Sequence, residues 1–144
     1  MDSPNHNERR LGPPDMIVIH YTDMASAAAA RARLCDPAAE VSCHYLIDLD
    51  GETELLVPEE RRAWHAGVSS WEGEADVNSR SIGIELQNMG PNGGGYHPYP
   101  EPQMAALERL ISDVAARWSI APSAARDMDD SLRRSAPCSA ARCR

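Results

Sequence analysis

Three residues of this chain could do chemistry that neither a plain core nor a plain surface requires. His20 closes the apolar run of MIVIHYTD (16–23), Glu85 interrupts SIGIEL (81–86), and His65 stands beside Trp64 in RRAWHAG (61–67). An imidazole at the end of an apolar run is either a core histidine with one satisfied hydrogen bond or a metal ligand, because neutral imidazole is the commonest protein ligand for zinc. Glu85 on a solvated face would be ordinary. Facing a partly closed pocket, it would lose hydration and its pKa would rise toward the range of a useful general base. Trp64 and His65, followed by small residues, suit a loop that stacks on a sugar or peptide, or equally a tryptophan that anchors its loop to the core. His44 in CHYLID reads as a core histidine and Cys43 as a small buried hydrophobe. His6 and His97 read as surface or loop residues.

Positioning these side chains takes strands. Residues 16–21 form a near-continuous apolar run, the mark of a strand covered on both faces. SIGIEL alternates, with Ile82, Ile84 and Leu86 on one face and Gly83 and Glu85 on the other. VSCHYLIDLDGETELLV (41–57) reads as two strands about an Asp50-Gly51 turn. Ala-rich SAAAARARL (26–34) predicts a helix capped by Ser26. Met104, Leu107, Leu110, Ile111, Val114 and Trp118 fall at helical spacing and predict an amphipathic helix from about 101 to 118, with Pro102 in its first turn. Residues 1–14 read as an irregular arm, 58–80 as a loop, and GPNGGGYHPYPEP (90–102) as a flexible connector. The sum is an α/β chain: a single domain with a mixed central β-sheet flanked by helices.

The 144 residues fit one domain with a normal core, and the net charge of −8 argues against nucleic acid or an anionic membrane as partner. Every basic residue is Arg, which removes any mechanism resting on a lysine nucleophile or lysine oxyanion donor in these residues. The opening MDSPNHNERR has no apolar signal region, and no apolar run is long enough for a membrane span. Cysteines at 35, 43, 138 and 143 form no CxxC pair and read as reduced thiols. The expectation is a cytoplasmic monomer.

The segments IVIHYTDM, VSCHYLID, DGETELLVPEERRAWHAGVSSW, NSRSIGIELQNMG and YPEPQMAALERLISDV, in that order over about residues 8–122, resemble the zinc-dependent N-acetylmuramoyl-L-alanine amidases. The resemblance is to their intracellular branch, within a superfamily that includes phage amidase-type lysozymes and animal peptidoglycan recognition proteins. It implies cleavage of the amide between N-acetylmuramic acid and L-alanine, with a muropeptide or peptidoglycan fragment as partner. It implies His20 as the first zinc ligand, Glu85 as the catalytic carboxylate, and Trp64, His65 and Asn78 as substrate-binding residues. Zinc held by three protein ligands would polarise the amide carbonyl and a water, and Glu85 would carry the proton to the leaving nitrogen. A relative that keeps the groove without the metal donors would instead be a non-catalytic muropeptide-binding module, with RRAWHAG and the Tyr96–Tyr99 connector as its wall.

The same resemblance implies a Gly-His soon after the long helix and a Lys-x-Asp-Pro-Gly-like stretch, bringing two further zinc ligands and a lysine. The chain departs from that pattern after WSIAPS (118–123). Residues 123–144, SAARDMDDSLRRSAPCSAARCR, contain no His, no Lys, no Asp-Pro and no hydrophobic period. Their Ala, Arg and Ser content fits a reading frame shifted near residue 123. A divergent tail with Asp127, Asp129, Cys138 or Cys143 as substitute ligands is the alternative. The expectation is an amidase-like domain over 1–122, C-terminally incomplete, a disordered atypical tail over 123–144, weak or absent zinc, and impaired activity.

Overall fold

Met16–Tyr21 (β2) and Ser81–Leu86 (β8) lie side by side as parallel strands at the centre of the computed structural model, with His20 in register with Glu85. The structure describes residues 2–95 and 97–121, and the backbone of 125–127. On the far side of β8 runs Tyr45–Ile47 (β3), also parallel, and beyond it Thr53–Leu55 (β4), antiparallel. The β3–β4 hairpin is the one expected around Asp50-Gly51. Gly51 has φ +89, and a Cβ there would lie 2.7 Å from the carbonyl oxygen of Pro102. The turn therefore needs glycine both for its left-handed backbone and for its contact with the start of the long helix.

The period of two divides this sheet into faces. Ile17, Ile47, Ile82, Ile84 and Leu86 pack against Ala106, Leu107 and Val114 of the helix Glu101–Trp118 (α3). Leu46 on the opposite face packs with Ala30 and Leu34 of the helix Ala27–Leu34 (α1), and with Cys43 and Leu56. Met16 and Val18 share that second face with Ala66 and Val77. Each fully buried Ile or Leu contributes roughly 1.5–3 kcal/mol relative to exposure, so both faces are apolar except along one row. That row is Ser81, Gly83 and Glu85 of β8, with His20 in register beside Glu85 on β2. Ser26 caps α1, its hydroxyl accepting from the Ala29 amide at 3.2 Å.

Three parts of the sequence reading are corrected. Residues 1–14 are not wholly irregular, because His6–Glu8 (β1) pairs antiparallel with Arg61–Ala63 (β5). Residues 58–80 carry, besides β5, a small hairpin of Ser70–Trp71 (β6) with Glu74–Ala75 (β7) and a helical turn, Val77–Arg80 (α2). Elements of two to four residues are too short to display a period. Ala125–Asp127 (β9) joins the sheet edge parallel to β2, giving the order β4-β3-β8-β2-β9, although 123–144 was expected to be disordered. Ladder pairing is made by backbone groups and needs no alternating side chains. The rest of that expectation, over 122–124 and 128–144, lies outside the described residues.

Two polar groups, half-buried Arg9 and buried Glu59, tie the layers together. The Arg9 guanidinium donates to the carbonyls of Glu59, Asn78, Ser79 and Ser81, fixing the N-terminal arm across the loop and β8. The Glu59 carboxylate accepts from Tyr45 Oη at 2.5 Å, Arg117 Nε at 2.8 Å and Trp118 Nε1 at 2.6 Å, joining β3 to the end of α3. Burial pushes the Glu59 carboxyl up, but the bonds from Arg117, Tyr45 and Trp118 outweigh it and hold the group below its ordinary range. A depressed native pKa stabilises the fold above the unfolded value and loses that contribution as pH falls through the native one. Glu59→Gln is therefore expected to lower stability at neutral pH by about 1–3 kcal/mol, with the gap to wild type closing in acid. Thermal melts across pH check both the size and the closure.

Candidate active site

The site is built on the polar row of the α1 face. His65, just after β5, lays its imidazole on the backbone of β8, so close that a Cβ on Gly83 would meet the ring Cγ at 2.4 Å. The glycine is required here for space. The RRAWHAG loop is pinned from both sides to hold the ring there. Asn78 Oδ1 accepts from the amides of His65 at 3.0 Å and Ala66 at 2.8 Å. Ser42 Oγ accepts from the Trp64 amide at 2.8 Å, and the Ser42 amide returns a bond to the Trp64 carbonyl at 3.0 Å.

His20 reaches the same ring from the neighbouring strand, with its Nε2 2.9 Å from His65 Nδ1. His65 Nε2 lies 3.0 Å from Ser81 Oγ. Burial holds His65 well below its ordinary pKa, reinforced by the nearby His20, His44, Arg9 and Arg62. His44, expected as a core histidine, is fully buried and neutral, its pKa pushed down to about 3 by burial. Its Nδ1 accepts from the Gly83 amide at 2.9 Å, which leaves Nε2–H to donate to the Arg61 carbonyl at 3.0 Å.

Glu85 is different in kind from Glu59. Burial alone raises it to about 8, and its Oε2 is buried with no hydrogen-bond partner among the described residues. It opens on a cleft of about 170 Å³ lined with Trp64, His65, Met24, Leu34 and Val41, and Arg33 adds a guanidinium to the same wall. Trp64 Nε1 is likewise buried without a partner among the described residues. Trp64 and Glu85 both line this cleft, and each carries a buried polar atom without a partner among the described residues. Unpaired buried polar atoms are costly and are expected where a ligand will satisfy them.

The structure brings His20, His65 and Glu85 together, and it puts Trp64, His65 and Glu85 on one cleft. His20 joins through His65. Asn78, 3% exposed, stands behind the loop and shapes the wall through the two amides it holds. Tyr99, expected beside the groove, packs on the α3 core instead, and Tyr96 lies outside the described residues. Sequence reasoning missed Ser42, Ser81 and the role of Gly83. A glycine inside an alternating strand was the available signal, since it marks a close approach. The serines gave none.

The family model described as N-acetylmuramoyl-L-alanine amidase matches residues 10–136. The chain belongs to that amidase family. It is 40% identical over 120 residues to N-acetylmuramoyl-L-alanine amidase AmiD of Escherichia coli (strain K12), an alignment covering 74% of this chain and 42% of AmiD. The chain thus spans less than half the length of that relative. Its fold is similar to a crystal structure of selenomethionine AmpD, with TM-score 0.76, 28% identity, and coverage of 88% of this chain and 78% of that one. It is also similar to AmiD from E. coli in complex with the substrate anhydro-N-acetylmuramic acid-L-Ala-D-γ-Glu-L-Lys, with TM-score 0.69, 34% identity, and coverage of 84% and 51%. No helix among the described residues of this amidase-family chain is long and apolar enough to cross a membrane.

For a metal, the described residues supply His20 but no group of three or more His, Cys, Asp or Glu able to hold an ion. A catalytic zinc needs three protein ligands. The described residues alone do not fit it.

The raised carboxyl has a consequence for stability. With a native pKa of about 8 against an ordinary 4.5, Glu85 keeps in the fold a proton that the unfolded chain releases between those values. Stability therefore falls as pH rises through that window. Glu85→Gln, with no charge to bury, is expected to melt higher than wild type near pH 8, and the difference should vanish at about pH 4. A pH series of thermal melts measures this, and an equal melting temperature at alkaline pH would place the carboxyl in solvent.

Proposed function

We propose that this chain is an amide hydrolase of muropeptides, cleaving between N-acetylmuramic acid and the L-alanine of the stem peptide, with its activity impaired as the chain stands. The observation that carries this reading is the isolated Glu85 carboxyl in a cleft walled by Trp64 and His65. A carboxyl with its pKa near 8 exchanges its proton close to neutral pH, as a group that takes a proton from an attacking water and returns it to a leaving nitrogen must. The cleft's apolar wall and the Trp64 N–H suit a ligand with both hydrocarbon and carbonyl groups. Membership of the family and the similarity to AmiD with its bound substrate support the substrate class.

Zinc belongs to this proposal through the family resemblance, with His20 as one donor. The remaining donors would have to come from outside the described residues. The cytoplasm and a monomeric state are likewise proposals, consistent with an acidic chain whose buried Cys43 carries a thiol. A second reading has its own support. A formed cleft lined by Trp64 and Glu85, each with a buried polar atom that has no partner among the described residues, and no three-donor set among those residues, suits a module that binds muropeptides without cleaving them.

The test uses anhydro-N-acetylmuramoyl peptide with added zinc, for the chain as it stands and for a variant in which the Gly-His and Lys-x-Asp-Pro-Gly stretches are restored. The restored variant is expected to release free stem peptide, and Glu85→Gln in that background to be slower by roughly 10²–10⁴-fold with affinity retained. Calorimetric binding to the unaltered chain without any turnover in either form would favour the binding module. Neither heat nor peptide release from the restored variant would remove both readings.

A further inference from the structure

An arm of polar residues would ordinarily be solvated, yet two of its short side chains are buried, Ser3 at 1% and Asn5 at 2% exposure. Both are bonded to the wall of the cleft. The Ser3 hydroxyl donates to the carbonyl of Leu34 at 2.5 Å. Asn5 donates twice from Nδ2, to the carbonyls of Asp36 at 2.8 Å and Val41 at 2.9 Å. The Asn5 carbonyl accepts from Ser42 Oγ at 2.6 Å, and that same oxygen accepts from the Trp64 amide at 2.8 Å. Both directions are fixed, because a carbonyl only accepts and a backbone amide only donates. Leu34, Val41, Ser42 and Trp64 all line the cleft. Trp64 has a second tie to the arm. It directly follows β5, which forms a two-stranded sheet with β1, His6 being in register with Ala63.

We propose that residues 3–8 act as a strap that holds the cleft wall in its binding shape, with Asn5 as the positioning residue. Three wall segments meet at Asn5: the turn after α1 through Asp36, the approach to β3 through Val41, and the Trp64 loop through Ser42. No strand of the five-stranded sheet runs through Asp36, Val41, Ser42 or Trp64, so the sheet alone does not set how far apart they stand. The strap does. A buried donor that loses its acceptor is costly, and so is a buried carbonyl that loses its donor. Arm and wall therefore open and close together, as one unit smaller than the whole fold. Asn5 touches no ligand in this arrangement and acts through the residues that would. The coupling of arm to wall is a property of the fold, and its meaning for muropeptides rests on the amidase reading of the cleft.

Residue-resolved amide hydrogen exchange in the full 144-residue chain tests the coupling without ligand, metal or turnover. In Asn5→Ala the Trp64 amide is expected to exchange about tenfold faster or more, the scale of one lost buried hydrogen bond, while the amides of β8 keep their wild-type protection. Unchanged exchange at Trp64 in the folded variant would overturn the proposal, as would an equal loss across β8. Should Asn5→Ala fail to fold, exchange of wild type in low denaturant decides. The Ser3 amide, which donates to the Leu56 carbonyl at 2.8 Å, and the Trp64 amide are then expected to open together and before β8, and separate openings would contradict the strap. Calorimetric titration with anhydro-N-acetylmuramoyl peptide reads the effect on the cleft. Asn5→Ala is expected to bind about tenfold more weakly at a temperature where it is folded, while Glu59→Gln, destabilised on the α3 side, keeps wild-type affinity. Equal affinity in Asn5→Ala and wild type would reduce the arm to a stabilising element and overturn its positioning role. A wild type that binds no muropeptide would count against the amidase reading, and the exchange result would still decide the strap.

Discussion

A missing methyl group carries this architecture. His65 rests on the bare backbone of Gly83, at a separation where any other residue would drive a Cβ into the imidazole. That contact brings the RRAWHAG loop down onto β8 and places one ring between the neighbouring strand, where His20 waits, and the cleft, where Glu85 opens. Remove the contact and the loop has no floor. Asn78 and Ser42 hold its amides, but they set its height only because the ring below it can lie flat.

The sheet's two faces then divide the work. The α3 face is largely apolar, its buried polar groups Gln103 and Glu59 being hydrogen-bonded, and it supplies the stability that lets the other face be costly. On the α1 face, His20 and Glu85 stand where strand periodicity would otherwise put Val or Ile, and His44 and His65 pack beside β8 from the segments next to β3 and β5. The cost is managed differently at each one. His44 is neutral and satisfied at both nitrogens. His65 is satisfied by His20 and Ser81. Glu85 Oε2 is left without a partner among the described residues. Comparison with Glu59 makes the point, since that carboxylate is also buried yet is drawn down by three donors from Tyr45, Arg117 and Trp118. One acid is drawn below its ordinary range and the other pushed above it, and the difference is the supply of hydrogen-bond donors.

Much of this was legible in the residues. The alternation in SIGIEL put Gly83 and Glu85 opposite Ile82, Ile84 and Leu86, and the helical spacing from Met104 to Trp118 gave α3 with its bounds. His20, His65, Glu85 and Trp64 stood out because their chemistry disagreed with their surroundings. What stayed hidden were interactions with no local signature. Arg9 in a polar arm looks like any solvated arginine, and its four carbonyl partners lie far along the chain. Ser81 looks like a strand boundary. Asn78 stood out only as part of a resemblance, and its use as a clamp on the loop depends on the turn of α2 that brings it there. The three-residue strands β1, β5 and β9 are too short for a period of two to show.

The central claim is that the approach of His65 to Gly83 organises the site. Thermal unfolding of Gly83→Ala tests it most directly, because the change adds only the atom that the contact excludes. The account predicts a loss of about 1–3 kcal/mol, the usual scale for forcing a methyl into a filled interior, and a correspondingly lower melting temperature. A chain carrying alanine at this position that melts with wild type would show that the ring does not rest where the structure puts it, and would contradict the account.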